Sequence, residues 1–217
     1  MKTRIDAVLT GKARPFRGDE ASAIGKLPIE GFVAVGPLGL AGDEQADRVH
    51  HGGLDKAVHH YPADHYPFWR DALGAHALLD RPGAFGENVS TAGMTENDIC
   101  LGDRLRLGTA LVEVSQARQP CWKLNHRFAN KDAMERVIAS GNSGWYYRVL
   151  EPGRLREGDD LALVDRPFPQ WTVVRVFALI IGGLARTCPD DLRRLGDVPA
   201  LSENWQARVA KLISQHD

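Results

Sequence analysis

Cysteine is scarce in this chain. Its 217 residues include three cysteines, at positions 100, 121 and 188. Three thiols so far apart are too few for a disulfide framework. They also cannot supply the four thiolates of an ordinary iron–sulfur cluster. Any cysteine chemistry is therefore expected to depend on a single thiol.

Net charge and long apolar runs are lacking as well, and no secretory leader is expected. The 27 basic and 28 acidic residues give a net charge of −1, so no strong field attracts nucleic acid or acidic membranes. The longest apolar run, residues 176–181, is far too short to span a bilayer. Residues 1–6 contain no apolar signal-peptide core. We therefore expect a cytoplasmic protein that has no nucleic-acid polymer and no membrane among its partners.

Residues 1–165 are predicted to be mainly β. Several short stretches, most of which alternate apolar and polar residues, end at turn-forming residues, and this pattern is typical of strands. The stretches are residues 5–9, 31–35, 104–107, 111–115 and 160–164. Strands at this density favour a β-barrel or a β-sandwich. Two helices are expected to interrupt them, at residues 62–73 and 132–139.

Residues 166–217 have a different pattern. Pro167 and Pro169 mark a linker, because proline breaks both strands and helices. Helical spacing of apolar residues predicts helices over 173–181, 189–195 and 205–213, the last with Ser202 as its N-cap. A segment of ~50 residues has little core of its own. We therefore expect a small three-helix domain that docks on residues 1–165.

Cys121 is the first candidate functional residue. It follows the predicted strand 111–115 and lies between Arg118 and Lys123, whose charges favour a thiolate. A thiolate is both a nucleophile and a soft ligand for molybdenum, copper, zinc or iron. The alternative is a cysteine that only packs, as buried cysteines often do. Cys100 and Cys188 are expected to be structural.

The second candidate segment is rich in histidine. Five of the eight histidines fall within residues 50–65, around a Gly52-Gly53 turn. A zinc site made by His51, His59 and Cys121 is one interpretation, although the spacing matches neither a helical His pair nor a zinc finger. The other interpretation is an ordinary loop with histidines on the surface.

The third candidate segment, residues 85–88, places Glu87 and Asn88 beside Gly86. The amide of Asn88 could donate to and accept from the edge of a heteroaromatic ring. Alternatively, Asn88 caps the backbone of a turn.

Taken in order, these segments resemble the MOSC domain family, in particular its YiiM-type members. The resemblance rests on residues 39–46, 51–57, 61–62, 85–88, 102–103 and 115–121, and extends over essentially the whole chain. It implies a fold that is mainly β with α: a MOSC-type β-barrel core with peripheral helices and a small C-terminal three-helix domain. The implied boundary lies between residues 165 and 166.

The resemblance also implies a cofactor and an activity. MOSC proteins bind the molybdenum cofactor, a molybdopterin, and the family's metal-ligating cysteine corresponds to Cys121. YiiM-type proteins resemble reductases of N-hydroxylated compounds, including 6-N-hydroxylaminopurine-type base analogues. The residues expected to hold the cofactor are Ser22, Lys26, Arg48, Lys56, Asn88, Arg118, Lys123 and Asn125. Relatives often carry Lys-Thr or Lys-Ser where this chain has Ala21-Ser22, so that lysine's role is lost or has moved to Lys26.

Three features of the implied mechanism stay open. The proton donor is expected to be His51, Glu87 or a metal-bound water. Electrons are expected to come from an external flavin reductase-type donor. The alternatives to a molybdenum reductase are zinc-assisted hydrolysis and a carrier that bears sulfur or the cofactor on Cys121 without turnover of its own.

Overall fold

The computed structural model describes residues 1–47 and 52–215. The β-strands in these ranges are β1 (Lys2–Thr10), β2 (Arg14–Arg17), β3 (Glu20–Ser22), β4 (Leu27–Pro28), β5 (Val33–Gly36), β6 (Gly39–Leu40), β7 (Val58–Pro62), β8 (Val89–Thr91), β9 (Arg104–Leu107), β10 (Ala110–Ala117), β11 (Trp145–Glu151), β12 (Gly153–Leu155) and β13 (Asp160–Asp165). The α-helices are α1 (Tyr66–Leu73), α2 (Lys123–Arg127), α3 (Ala133–Ser140), α4 (Val173–Ile180), α5 (Pro189–Gly196) and α6 (Glu203–Ser214). Short 3₁₀ helices cover Leu54–Lys56, Ala63–His65, Ala77–Asp80 and Leu184–Arg186.

Within the described ranges, seven strands form a closed barrel. Their order is β1-β13-β9-β10-β11-β7-β8, and β8 pairs again with β1. Neighbouring strands are antiparallel except for β7 and β8, which run parallel. Closure leaves these seven strands without a free edge that could pair with another chain. The predicted β-barrel is thus confirmed.

The burial of two strands reflects what covers them. In β9, Leu105 and Leu107 are buried while Arg104 and Arg106 are exposed, as expected for a strand with one wet face. In β10, all residues but one are buried, because the barrel interior covers one face and α4 packs against the strand. The barrel core therefore continues into the C-terminal helices.

The C-terminal segment packs on the barrel through that continuous core. Trp171, Phe177 and Trp205 belong to the same buried cluster as the strand residues. Arg166, at the start of the linker, donates to the buried Asp103 carboxylate at 2.6 Å. Ser202 caps α6 as predicted, accepting from the Trp205 amide. The boundary after residue 165 stays a prediction. None of the helices in the described ranges has the length and apolar character needed to cross a membrane.

The structure corrects the prediction for the histidine segment. His59 and His60 are buried in β7, which lies between β11 and β8, so the interpretation of these two as surface histidines is wrong. The ring of His60 stacks on Trp145 and bonds the hydroxyls of Tyr147 and Thr91. Burial lowers the pKa of His60 to about 3, so its ring is neutral.

The helix predicted to begin at Pro62 begins later. Pro62 is instead the last residue of β7, where it pairs with Thr91 of β8. A 3₁₀ turn over Ala63–His65 follows, and α1 starts at Tyr66. Proline suits the last strand position here because it sits where the chain turns away from the sheet.

Candidate functional site

A cavity opens beside the barrel where β7 and β11 meet the turn after β10 and the loops before β4, β7 and β8. It has about 690 Å³ of empty space, part of which is open to solvent. Eight of the residues predicted from the sequence line it: Ser22, Lys26, Lys56, His59, Asn88, Arg118, Cys121 and Lys123. Residues separated by up to a hundred positions in the chain thus share one site.

Cys121 lies in the turn that joins β10 to α2. The strand ends where the Arg118 amide donates to the Gly144 carbonyl at 2.9 Å. The Cys121 carbonyl then accepts from the Leu124 amide at 3.0 Å, which starts the helical turn. Its side chain is half-buried at the cavity wall. This position lets a thiol reach a ligand in the cavity while its backbone is held from both sides.

Arg118 and His59 line the cavity, and each has a buried nitrogen without a hydrogen-bond partner among the described residues. The two residues are 5% and 3% exposed. In the part of the chain that the structure describes, Arg118 Nη1 and His59 Nε2 have no hydrogen-bond partner. Burial, and secondarily the charge of Arg118, hold the pKa of His59 well below its usual value, so the ring is neutral. Leaving buried polar atoms unpaired costs about 1–3 kcal/mol each, so a polar ligand that pairs them is favoured.

Asp43 is the centre of a buried network at the same cavity. Its carboxylate accepts from the Gly11 amide at 2.7 Å and from Asn88 Nδ2 at 2.8 Å. It also forms an ion pair with Lys26, whose side chain is 9% exposed. Asp43 was not predicted as a site residue; its only sequence signal is its place beside Gly42 in the segment 39–46.

Asn88 does more than cap a turn. Its Oδ1 accepts from the His59 amide at 3.1 Å, and its Nδ2 also donates to the Leu9 carbonyl at 3.1 Å. With Asp43, the side chain therefore bonds three chain segments around the cavity. Most of its hydrogen-bonding capacity is already used by the protein.

The structure does not place Glu87 or Asn125 at the cavity. Glu87 is fully buried, and its carboxylate accepts from Tyr66 Oη at 2.5 Å, the Gly83 amide at 2.6 Å and the Phe85 amide at 3.0 Å. Its role is to fix the turn before β8, and the prediction that it donates a proton has no geometric support.

Asn125 also lies away from the cavity, and two other predicted residues cannot be placed. Asn125 accepts from the Met134 amide at 2.7 Å and donates to the Lys131 carbonyl at 2.6 Å, so it connects α2 to α3. Arg48 and His51 lie outside the described residues.

Glu87→Gln is expected to lower the free energy of unfolding by about 1–3 kcal/mol. The carboxylate accepts three hydrogen bonds, whereas the amide nitrogen of glutamine cannot accept any. Urea titration measures the change. Glu157→Gln, at an exposed glutamate, is the matched control and is expected to change stability by less than about 0.5 kcal/mol. Equal losses in both variants would contradict this role of Glu87.

The proposed zinc ligands include a residue outside the described ranges, His51. Among residues 1–47 and 52–215, no group of three or more His, Cys, Asp or Glu side chains is arranged to hold a metal ion. Zinc-assisted hydrolysis therefore stays a prediction without a described ligand set.

Comparison with known proteins places this geometry in a family. The MOSC domain profile matches residues 47–162. Protein YiiM of Escherichia coli (strain K12) is 38% identical over 214 residues, which is 97% of this chain and 92% of that protein. A reductase of Gibberella moniliformis is 43% identical over 164 residues, 75% of this chain and 29% of that longer protein. The crystal structure of YiiM from Geobacillus stearothermophilus superimposes with a TM-score of 0.82 at 32% identity, covering 97% of this chain and 99% of that one. This chain therefore belongs to the MOSC domain family.

Proposed function

We propose that this protein is a molybdenum-cofactor-binding reductase of N-hydroxylated substrates such as 6-N-hydroxylaminopurine-type base analogues. The observation that supports it most is the position of Cys121 in one cavity with the unpartnered nitrogens of Arg118 and His59. A soft sulfur ligand beside a buried guanidinium group and a buried imidazole nitrogen fits a metal–pterin cofactor.

The residues at the cavity fit the parts of such a cofactor. Cys121 would supply the sulfur ligand to the metal. Arg118, Lys56 and Lys123 would bind the phosphate and the pterin oxygens, since guanidinium and ammonium groups make short, charge-assisted bonds to such oxygens. Ser22, whose Oγ accepts from the Ile24 amide at 3.3 Å, keeps its hydroxyl proton for a further bond.

The cofactor, when bound, would supply the two-electron reduction that cleaves the N–O bond of the substrate. The protein's own contribution is binding and orientation. His59 can form hydrogen bonds through its imidazole ring. The ring stays uncharged near neutral pH, because burial holds the pKa of His59 well below its usual value. The partly enclosed cavity limits the approach of water to the thiol. Electrons would come from a separate flavin reductase-type protein.

Expression in two hosts tests this function. Protein from a host that makes the molybdenum cofactor is expected to contain molybdenum and to reduce 6-N-hydroxylaminopurine with dithionite as the electron source. Protein from a host deficient in cofactor synthesis is expected to lack both properties, while its thermal unfolding stays cooperative.

Three results would contradict the proposal. Activity independent of the host's cofactor synthesis would remove the molybdenum requirement. Equimolar zinc in place of molybdenum would favour hydrolysis. A persulfide mass increment on Cys121 without reductase turnover would favour a sulfur carrier.

A further inference from the structure

The proposed reduction needs protons as well as electrons. In R–NH–OH + 2 e⁻ + 2 H⁺ → R–NH₂ + H₂O, the N–O bond breaks, the substrate is reduced and the oxygen leaves as water. The electrons come from the flavin reductase-type donor, which is oxidised. The protons must reach the cavity through the protein or from solvent. A group that delivers them has to line the cavity and change its protonation state.

Several groups near the cavity cannot do this. The Glu87 carboxylate does not line the cavity and accepts hydrogen bonds from Tyr66 Oη and the Gly83 amide. The Arg118 guanidinium stays protonated at every accessible pH. Burial holds the pKa of His59 well below its usual value, so that no second ring proton is available near neutrality. Burial raises the pKa of Tyr146.

Lys26 has the position and the hydrogen bonding expected of a proton donor. Its side chain is 9% exposed, and its ammonium bonds the Asp43 carboxylate, which is 2% exposed. The Lys26 ammonium carries three N–H donors. Within residues 1–47 and 52–215, its one hydrogen-bond partner is Asp43. The side chain lines the cavity, so its remaining donors are within the site.

Asp43 is itself immobilised. Its Oδ1 accepts from the Gly11 amide at 2.7 Å, and its Oδ2 accepts from Asn88 Nδ2 at 2.8 Å. A carboxylate held by two other bonds fixes the ammonium that it binds. Lys26 is therefore a lysine with a defined position, unlike a flexible surface lysine.

We propose that the Lys26 ammonium delivers a proton to the reaction in this cavity and that Asp43 is its positioning residue. The proposal rests on the proposed function. In the step, an N–H bond of the ammonium breaks, the proton passes to the substrate-derived oxygen or nitrogen, and neutral amine remains. The open side of the cavity returns a proton from solvent before the next turnover.

The charges around Lys26 set the pH range in which this can work. Burial lowers the pKa of Lys26 from its usual value, against the opposing carboxylates of Asp43 and Glu87. Among the described residues, Arg127, whose Nη1 lies near Gly25, and His59 also place titratable groups close by. An acid must be protonated to act, so turnover is expected to fall as pH rises through the pKa of Lys26. A lowered pKa brings that fall closer to neutrality and makes proton release easier.

Three substitutions, made in full-length protein from a cofactor-competent host, test the proposal. Lys26→Arg keeps the charge but cannot release a proton, so kcat is expected to fall by about 10²-fold to 10⁴-fold with molybdenum content unchanged. The alkaline limb of the wild-type pH profile is expected to disappear. Asp43→Asn removes a carboxylate that raises the Lys26 pKa, so the limb is expected to move to lower pH. Lys56→Met, the comparison lysine of the same cavity, is expected to lower molybdenum content instead.

A measurement without cofactor separates this inference from the proposed function. In protein from the cofactor-deficient host, the ¹³Cε resonance of Lys26 is expected to titrate below the range of the exposed Lys211. Titration together with Lys211, or a wild-type pH profile in Lys26→Arg, would overturn the proposal. So would loss of molybdenum from Lys26→Arg, because Lys26 would then hold the cofactor. Absence of molybdenum from the wild-type protein would contradict the proposed function alone.

Discussion

Cys121→Ser is expected to remove molybdenum from the purified protein and to lower kcat at least about 100-fold. Loss of a residue that only supports a metal ligand can already cost about 100-fold, and Cys121 is the proposed ligand itself. Serine keeps the size of the side chain but replaces the sulfur ligand by a hydroxyl that stays protonated. A hard neutral oxygen is a poor substitute for a soft thiolate. Metal analysis and dithionite-driven turnover measure the two effects.

Cys188→Ser is the matched control for this substitution. Cys188 is half-buried beside α5 and packs on the C-terminal helices, away from the cavity-lining residues. Its replacement is expected to leave molybdenum content and turnover at wild-type values. The ligand role of Cys121 fails if Cys121→Ser keeps the metal, or if both variants lose it to the same extent.

Gly144→Ala is expected to cause the largest loss of stability, about 2–5 kcal/mol. Gly144 has φ +71°, and left-handed backbone costs about 1–2 kcal/mol for other residues. An added Cβ would lie 2.4 Å from the His60 carbonyl oxygen and 2.9 Å from a Tyr61 ring carbon. Such overlap in a packed region costs about 1–3 kcal/mol more. Urea unfolding measures the total.

Gly141→Ala separates the two causes. Gly141 ends α3 with φ +73°, nearly the same backbone strain, but an added Cβ there would meet only Val174 Cγ2, at 3.5 Å. Its loss is expected to be about 1–2 kcal/mol, from backbone strain alone. Equal losses at the two glycines would show that the contact between Gly144 and β7 is not as tight as described. The difference also bears on the site, because the Gly144 carbonyl holds the Arg118 amide.

Part of the barrel could be predicted because some of its strands, such as β9, have one wet face. Residues 104–107 alternate arginine and leucine, and β9 has the bounds that this pattern predicts. β7 gave no such signal. Both of its faces are covered, yet two of its five residues are histidines, whose polarity suggested a surface loop. They are buried because β7 lies inside the sheet between β8 and β11 and its histidine rings pack on Trp145 and Tyr146, which the local sequence does not reveal.

The residues of the site also fall into those that the local sequence predicts and those that it does not. Cys121, Arg118 and Lys123 were predicted together because they are neighbours in sequence. The contact of Asp43 with Lys26 and Asn88 joins three separate loops and could not be predicted from spacing. Glu87 and Asn88 are adjacent polar residues that the structure turns to different surroundings. Only the path of the chain decides which of them lines the cavity.

The two strands that close the barrel are far apart in the sequence, which limits when the barrel can form during synthesis. β1 can pair with β8 earlier in synthesis, but its pairing with β13, with Lys2 opposite Ala162, can form only after residue 162 has been translated. Contacts between such distant residues slow folding. Lys26 and Asp43 lie in loops that are translated before the turn that carries Cys121. A ligand that needs the whole cavity can therefore bind only after translation has passed Tyr146, the last residue of the cavity lining.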